Sequence, residues 1–108
     1  MIDLPADFLD ESKHKDELMA YLKGWSIIQS DGKEVLYKSF RFKSFKSCLD
    51  YIQIIGEYAE QWNHHPKWTN QYAKLDVEWT TNDVGGMITI LDIKMAFVMD
   101  TIFKDFTY

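Results

Sequence analysis

The chain has little with which to cross-link itself. Cys48 is the single cysteine among 108 residues, so no internal disulfide can form, and a reducing compartment is the simpler assignment. Long apolar runs are absent, and the opening Met1-Ile2-Asp3-Leu4-Pro5 lacks a basic flank, which predicts neither a signal peptide nor a membrane span. Positive charge is in deficit. Twelve Lys and Arg stand against 17 Asp and Glu, a net charge of −5, which argues against a nucleic-acid backbone as the direct partner. No internal repeat or low-complexity linker interrupts the chain. The expectation is a cytoplasmic, single-domain protein over residues 1–108.

What is abundant is apolar and aromatic. Hydrophobic residues make up 46% of the chain, enough for a modest core, and aromatics reach 16%. A small core cannot hide so many rings, so part of the excess is expected to serve a stacking pocket or a subunit interface.

The most informative stretch is Glu60-Gln61-Trp62-Asn63-His64-His65-Pro66-Lys67-Trp68. Before it, Phe45, Leu49, Ile52, Ile55, Ala59 and Trp62 recur at three- and four-residue steps, the stripe of an amphipathic helix. Pro66 cannot continue that helix and biases His65 towards an extended backbone. His64 therefore falls in or just past the last helical turn. Glu60, four residues earlier, is expected to share its face and orient it by a hydrogen bond. Histidine changes charge near neutral pH, which suits proton transfer. A metal site is disfavoured, because adjacent histidines rarely converge on one ion and Cys48 and His14 offer no ligand spacing.

Around this junction, Asp7 to Lys23 reads as a first helix with a charged outer face, stopped by Gly24. His14 has no assigned role. Trp25 to Gln29 and Glu34 to Phe42 read as strands joined through Asp31-Gly32, a strong hairpin signal. Ser44 is the expected N-cap of the long helix. Tyr72 to Thr81 alternates Ala73, Leu75, Val77 and Trp79 with Lys74, Asp76, Glu78 and Thr80, the pattern of a strand buried on one face. Asn82 to Gly86 is a turn, and Met87 to Thr89 is read as a short additional strand. Thr89 caps a last helix, with Asp92 three residues on able to bond back. Met95, Val98, Met99, Ile102, Phe103 and Phe106 make that helix apolar over much of its circumference, which points to a subunit interface. The order α-ββ-α-ββ-α predicts an α+β fold of two layers, with an antiparallel sheet of about four strands covered by helices on one face.

With these residues in place, the chain resembles the pterin-4a-carbinolamine dehydratases, from about Trp25 to the end of the last helix. The resemblance is carried by Gly24-Trp25, by Phe40-Arg41-Phe42-Lys43-Ser44-Phe45, and by Glu60, His64, His65, Pro66, Tyr72 and Asp92 in order and near-correct spacing. One position departs: the family's third histidine falls where this chain has Asn82, which hydrogen-bonds but does not titrate near neutrality. The resemblance implies dehydration of a 4a-hydroxy-tetrahydropterin to a quinonoid dihydropterin plus water, with no metal or organic cofactor, in a homodimer or homotetramer.

It implies His64 as principal acid–base group, with His65, Glu60 and Asn82 completing the catalytic set. Trp25, His65, Trp68 and Asp92 are then the candidate substrate-binding residues, and Asp83 is a candidate to replace the titratable group lost at Asn82. The competing expectation is a non-catalytic pterin-binding or protein-interaction homologue, coactivator-like, favoured by the missing histidine.

Overall fold

The structure, a computed structural model, describes residues 4–106. Its centre is a four-stranded antiparallel sheet in the order β1-β2-β4-β3, with β1 at Ser26–Ser30, β2 at Lys33–Arg41, β3 at Lys67–Gln71 and β4 at Lys74–Trp79. Helices α2 (Phe45–Gln61) and α3 (Ile90–Phe103) pack on one face of it, and a short helix α1 (Lys15–Leu18) precedes the sheet. This is the α+β arrangement the patterning predicts.

Period-two burial decides which face the helices take. Leu36 and Phe40 of β2 stand opposite Trp79 and Leu75 of β4, and all four side chains are buried. They pack with Cys48, Tyr51 and Ile55 of α2 and with Ile93, Ala96 and Met99 of α3 in one continuous core. Two polar ties hold α3 inside it. The Tyr51 hydroxyl donates to the Met99 carbonyl at 2.9 Å, and the Trp79 indole N–H points at the Met99 sulfur at 3.2 Å. Asp31-Gly32 forms the two-residue turn between β1 and β2, with both residues in the left-handed region that such a hairpin demands.

Three expectations need correction. The first concerns the long N-terminal helix, which is broken into a 3-10 turn at Ala6–Leu9, the short α1 and a 3-10 turn at Met19–Tyr21. The Asp10 carboxylate accepts from the Ser12 amide and hydroxyl, and the His14 ring accepts from the Asp16 amide. These local bonds offer the backbone an alternative to helix, and they give His14 a capping role. Residues 1–6, which the sequence leads one to expect as an irregular lead-in, lie partly outside the described residues.

The second concerns the fourth strand, which is Lys67–Gln71, before the alternating strand rather than after it. Met87 makes only an isolated bridge to Thr81. Lys67–Gln71 pairs on one side only and is mostly exposed, so it carries no apolar alternation to read.

The third concerns α3, whose apolar surface is covered by this same chain. Phe97 packs at a tilt on Phe8 and edge-on to Tyr21 of the N-terminal segment, while Phe103 packs on Phe40, Phe42 and Tyr51. Burial on several sides is supplied without a second subunit, so the helix is no argument for one.

Candidate functional site

The site is built where α2 ends. Trp62 closes the helix and Asn63 turns left-handed at φ 47°. The His64 amide then donates back to the Ala59 carbonyl at 3.0 Å, and the Asn63 amide to Glu60 at 3.3 Å. This paired closure is the Schellman arrangement, with asparagine in the position that tolerates positive φ. It satisfies two helix-end carbonyls and swings the next residues off the helical spiral.

That swing overturns the expected pairing of Glu60 with His64. The spacing of four holds only while the helix continues, and it stops at Gln61. Glu60 instead pairs with His65, its Oε2 on the His65 Nε2, on the surface. His65 and Glu60 are 54% and 77% exposed at their side chains, so this pair is bathed in solvent. Its value is orientation rather than stability.

His64 takes a different partner. Its Nε2 lies 2.5 Å from Oδ1 of Asp92, at the start of α3. The ring stacks on Trp79 with centroids 5.5 Å apart and planes at 19°. The His64 side chain is 11% exposed and Asp92 is fully buried. Asp92 Oδ2 is also occupied: it accepts from the Thr89 amide at 2.8 Å and from the Thr81 hydroxyl at 2.7 Å. Thr81, having donated there, accepts from the Thr89 hydroxyl at 2.7 Å. The Thr89–Asp92 capping box is therefore also the anchor of the imidazole. A buried carboxylate needs such saturation of its lone pairs to be tolerable. With Nε2 committed to Asp92, Nδ1 is the ring nitrogen left for a further hydrogen bond.

Two adjoining hollows border these residues. The smaller, about 180 Å³, is lined by Asn63, His64, His65, Thr80, Thr81, Asn82 and Asp83. The larger, about 200 Å³, lies over the end of the open sheet face, with Lys33, Val35, Lys67 and Glu78 among its walls. His65, Thr80 and Asn82 belong to both. Asn82 is not idle, since its Oδ1 accepts from the Lys33 ammonium at 2.8 Å.

Of the residues singled out from the sequence, His64, His65, Asn82 and Asp83 come together at the smaller hollow, and Glu60 joins them through His65. Three fall elsewhere. Asp92 is sealed behind His64, so it can act on a ligand only through that ring and not by contact. Trp68 is half-buried against the core. Trp25 donates its indole N–H to Asp100 and packs edge-on to Phe40. Asp100 is eight residues along α3 from Asp92, about 12 Å at 1.5 Å per residue. Trp25 thus belongs to the opposite end of that helix, where Lys38 pairs with Asp100 at 2.8 Å. Sequence reasoning passed over Thr81 and Lys33, and placed Trp79 on the buried strand face without linking it to His64. For Thr81 and Lys33 only their nearness to Asn82 and to the Asp31-Gly32 turn marked them, and neither signal names a role.

Among the described residues, no group of three or more His, Cys, Asp or Glu is placed to hold a metal, and no helix is long and apolar enough to cross a membrane.

Comparison with known proteins agrees with this architecture. Residues 7–102 match the family model for pterin 4 alpha carbinolamine dehydratase. A protein of Ruegeria pomeroyi, provisionally named pterin-4-alpha-carbinolamine dehydratase, is 38% identical over 82 residues, covering 76% of this chain and 81% of its own. A likewise named protein of Brucella ovis is 40% identical over 94 residues, covering 87% of this chain and 93% of its own. The crystal structure of a transcriptional coactivator/pterin dehydratase from Brucella melitensis superposes with a TM-score of 0.73 at 39% identity, over 86% of this chain and 95% of the other. With the fold, the helix-end histidines and these matches in agreement, the chain belongs to the pterin-4-alpha-carbinolamine dehydratase family.

Proposed function

We propose that this protein dehydrates a 4a-hydroxy-tetrahydropterin to the quinonoid dihydropterin, supporting tetrahydropterin recycling as one catalytic unit over residues 1–108. The observation that carries this is the His64–Asp92 pair: an imidazole held by a fully buried carboxylate at 2.5 Å, at the edge of a hollow that it shares with His65 and Asn82.

The chemistry asks for two proton movements. The C4a–O bond breaks with its electron pair going to oxygen, and that oxygen takes a proton to leave as water. N5 gives up its proton as the C4a–N5 double bond forms. His64, through Nδ1, is the principal acid–base group. His65, steadied by Glu60, serves the hydroxyl or the ring edge, and Asn82 hydrogen-bonds the leaving oxygen. A cytoplasmic location and a homodimer or homotetramer belong to the same reading. The test is a dehydration assay coupled to an aromatic amino-acid hydroxylase. His64→Ala is expected to lower the rate by roughly two to four powers of ten. An equal rate in parent and variant would refute the assignment.

A second reading is a non-catalytic, coactivator-like role. It is favoured by Asn82 standing at the third-histidine position and by the coactivator designation carried by the Brucella melitensis neighbour. In that case the same assay detects no His64-dependent turnover, while a protein partner is retained by the His64→Ala variant.

A further inference from the structure

We propose that Lys33 is a positioning residue for this site: its ammonium fixes the Asn82 amide so that a non-titrating N–H donor stands where the family's third histidine is expected. The proposal rests on the dehydratase reading and adds to it a residue that lies outside the histidine motif.

An ammonium carries donors and no acceptor. The Asn82 atom 2.8 Å from Lys33 Nζ must therefore be the amide oxygen, and the flip of that amide is decided. Lys33 lines only the larger hollow, and His64 lines only the smaller, while Asn82 lines both. With its oxygen taken by Lys33, Asn82 keeps its NH2 group as the donor left for a ligand, at the junction of the two hollows that His65 also borders and beside the smaller one that His64 lines. The ammonium beside the oxygen also polarises the amide in the direction that strengthens its N–H donors, by a small amount because the pair is exposed to solvent.

Lys33 is itself held in place. A Cβ at Gly86 would come within 2.5 Å of the Lys33 Cγ, so the lysine stem occupies the space that the glycine leaves. The Glu34 amide donates to the Gly86 carbonyl at 2.9 Å, which binds this loop to the start of β2. Gly86 has φ +81°, where a side chain would be strained in any case.

The consequence is chemical. A departing hydroxyl is an acceptor, and a fixed amide donor stabilises the charge that grows on it. It supplies no proton, so the proton that makes water comes from a histidine. Unlike an imidazole at that position, the amide donor is present at every pH.

Three experiments decide the matter. Lys33→Met keeps the stem and removes the ammonium. Its kcat is expected to fall on the order of tenfold with KM little changed, less than the loss from deleting a preorganised donor outright. Lys33→Arg restores the rate. In an Asn82→His background the sign reverses, because a cation beside an imidazole opposes its protonation. There, adding Lys33→Met leaves the rate equal or higher. An unchanged kcat in Lys33→Met, or the same loss in both backgrounds, overturns the proposal.

An activity-independent readout is the side-chain NH2 resonance pair of Asn82, assigned by its loss in Asn82→Ser. Lys33→Met and Gly86→Ala should both shift it, and no shift in Lys33→Met refutes the pairing whatever the turnover. If the parent shows no dehydration at all, the dehydratase reading fails and the role of Lys33 in turnover fails with it. The resonances still decide the orientation of the amide.

Discussion

Replacing Asp92 by asparagine keeps the shape and removes one charge at the most connected point of the site. Asp92 is fully buried, and its two oxygens receive the His64 ring, the Thr81 hydroxyl and the Thr89 amide. An asparagine has one oxygen, and two donors on its nitrogen. If that oxygen serves Thr81 and Thr89, the NH2 group faces His64 Nε2, which must then become an acceptor. The ring proton moves to Nδ1, and the nitrogen turned to the ligand can no longer take a proton. Two losses follow together. Bonds to a charged group contribute roughly 1.5–3 kcal/mol each, and breaking a buried pair costs roughly 3–5 kcal/mol. Because the amide replaces part of what is lost, we expect about 3 kcal/mol of destabilisation. For a chain of this size that lowers Tm by about 10–20 °C. Dehydration should fall by about two to four powers of ten at a temperature where the variant is folded. Urea unfolding and the coupled assay measure the two effects separately. An Asp92→Asn protein within about 0.5 kcal/mol of the parent, the scatter of an ordinary surface substitution, would refute the buried pair. Full activity with the expected loss of stability would refute the tautomer argument alone.

Other consequences are local. Asn63 sits at φ 47°, so Asn63→Gly should retain or slightly raise stability, whereas Asn63→Val should lose about 1–2 kcal/mol in urea unfolding. Burial pushes the Asp76 carboxyl up, but hydrogen bonds from Ser39, Tyr37 and Lys74 and the Lys74 charge outweigh it, leaving Asp76 below the usual carboxylate range. Its contribution is therefore full above its unfolded value of about 3.9 and lost as pH falls through the lower folded value. The stability gap between parent and Asp76→Asn should be present at neutral pH and close in acid; a gap that widens in acid has the wrong sign. Burial raises the Cys48 thiol, whose sulfur also accepts from the Asn70 amide at 3.3 Å. Labelling by an aromatic disulfide reagent should be about a thousandfold or more slower than in urea, following rare opening. Rapid labelling of the native protein would place Cys48 outside the core.

The elements that patterning predicts well are those whose burial is one-sided and local. Leu75, Val77 and Trp79 alternate with charged neighbours, and all three face the helices. Ser44 accepts from the Ser47 amide as an N-cap, and Thr89 with Asp92 forms the capping box, because each depends only on residues three apart. Lys67–Gln71 escaped notice for the converse reason. An edge strand of polar residues is specified by its partner β4 rather than by its own pattern. The apolar girth of α3 is real, but whether a second chain or the N-terminal segment covers it depends on Phe8 and Tyr21, distant in sequence.

The amino-acid order alone determined the class of fold, the starts of the two long helices, the end of α2 and the histidine-proline junction. All of these are set by backbone propensity and short-range spacing. Which carboxylate holds which histidine was decided only in three dimensions. One left-handed residue, Asn63, breaks the helical register, so the four-residue spacing of Glu60 and His64 loses its meaning, and Asp92, 28 residues away, takes the ring instead. Lys33 reaches Asn82 across 49 residues for the same reason: hairpin register and a glycine without a side chain place them side by side, and neither can be read along a single segment.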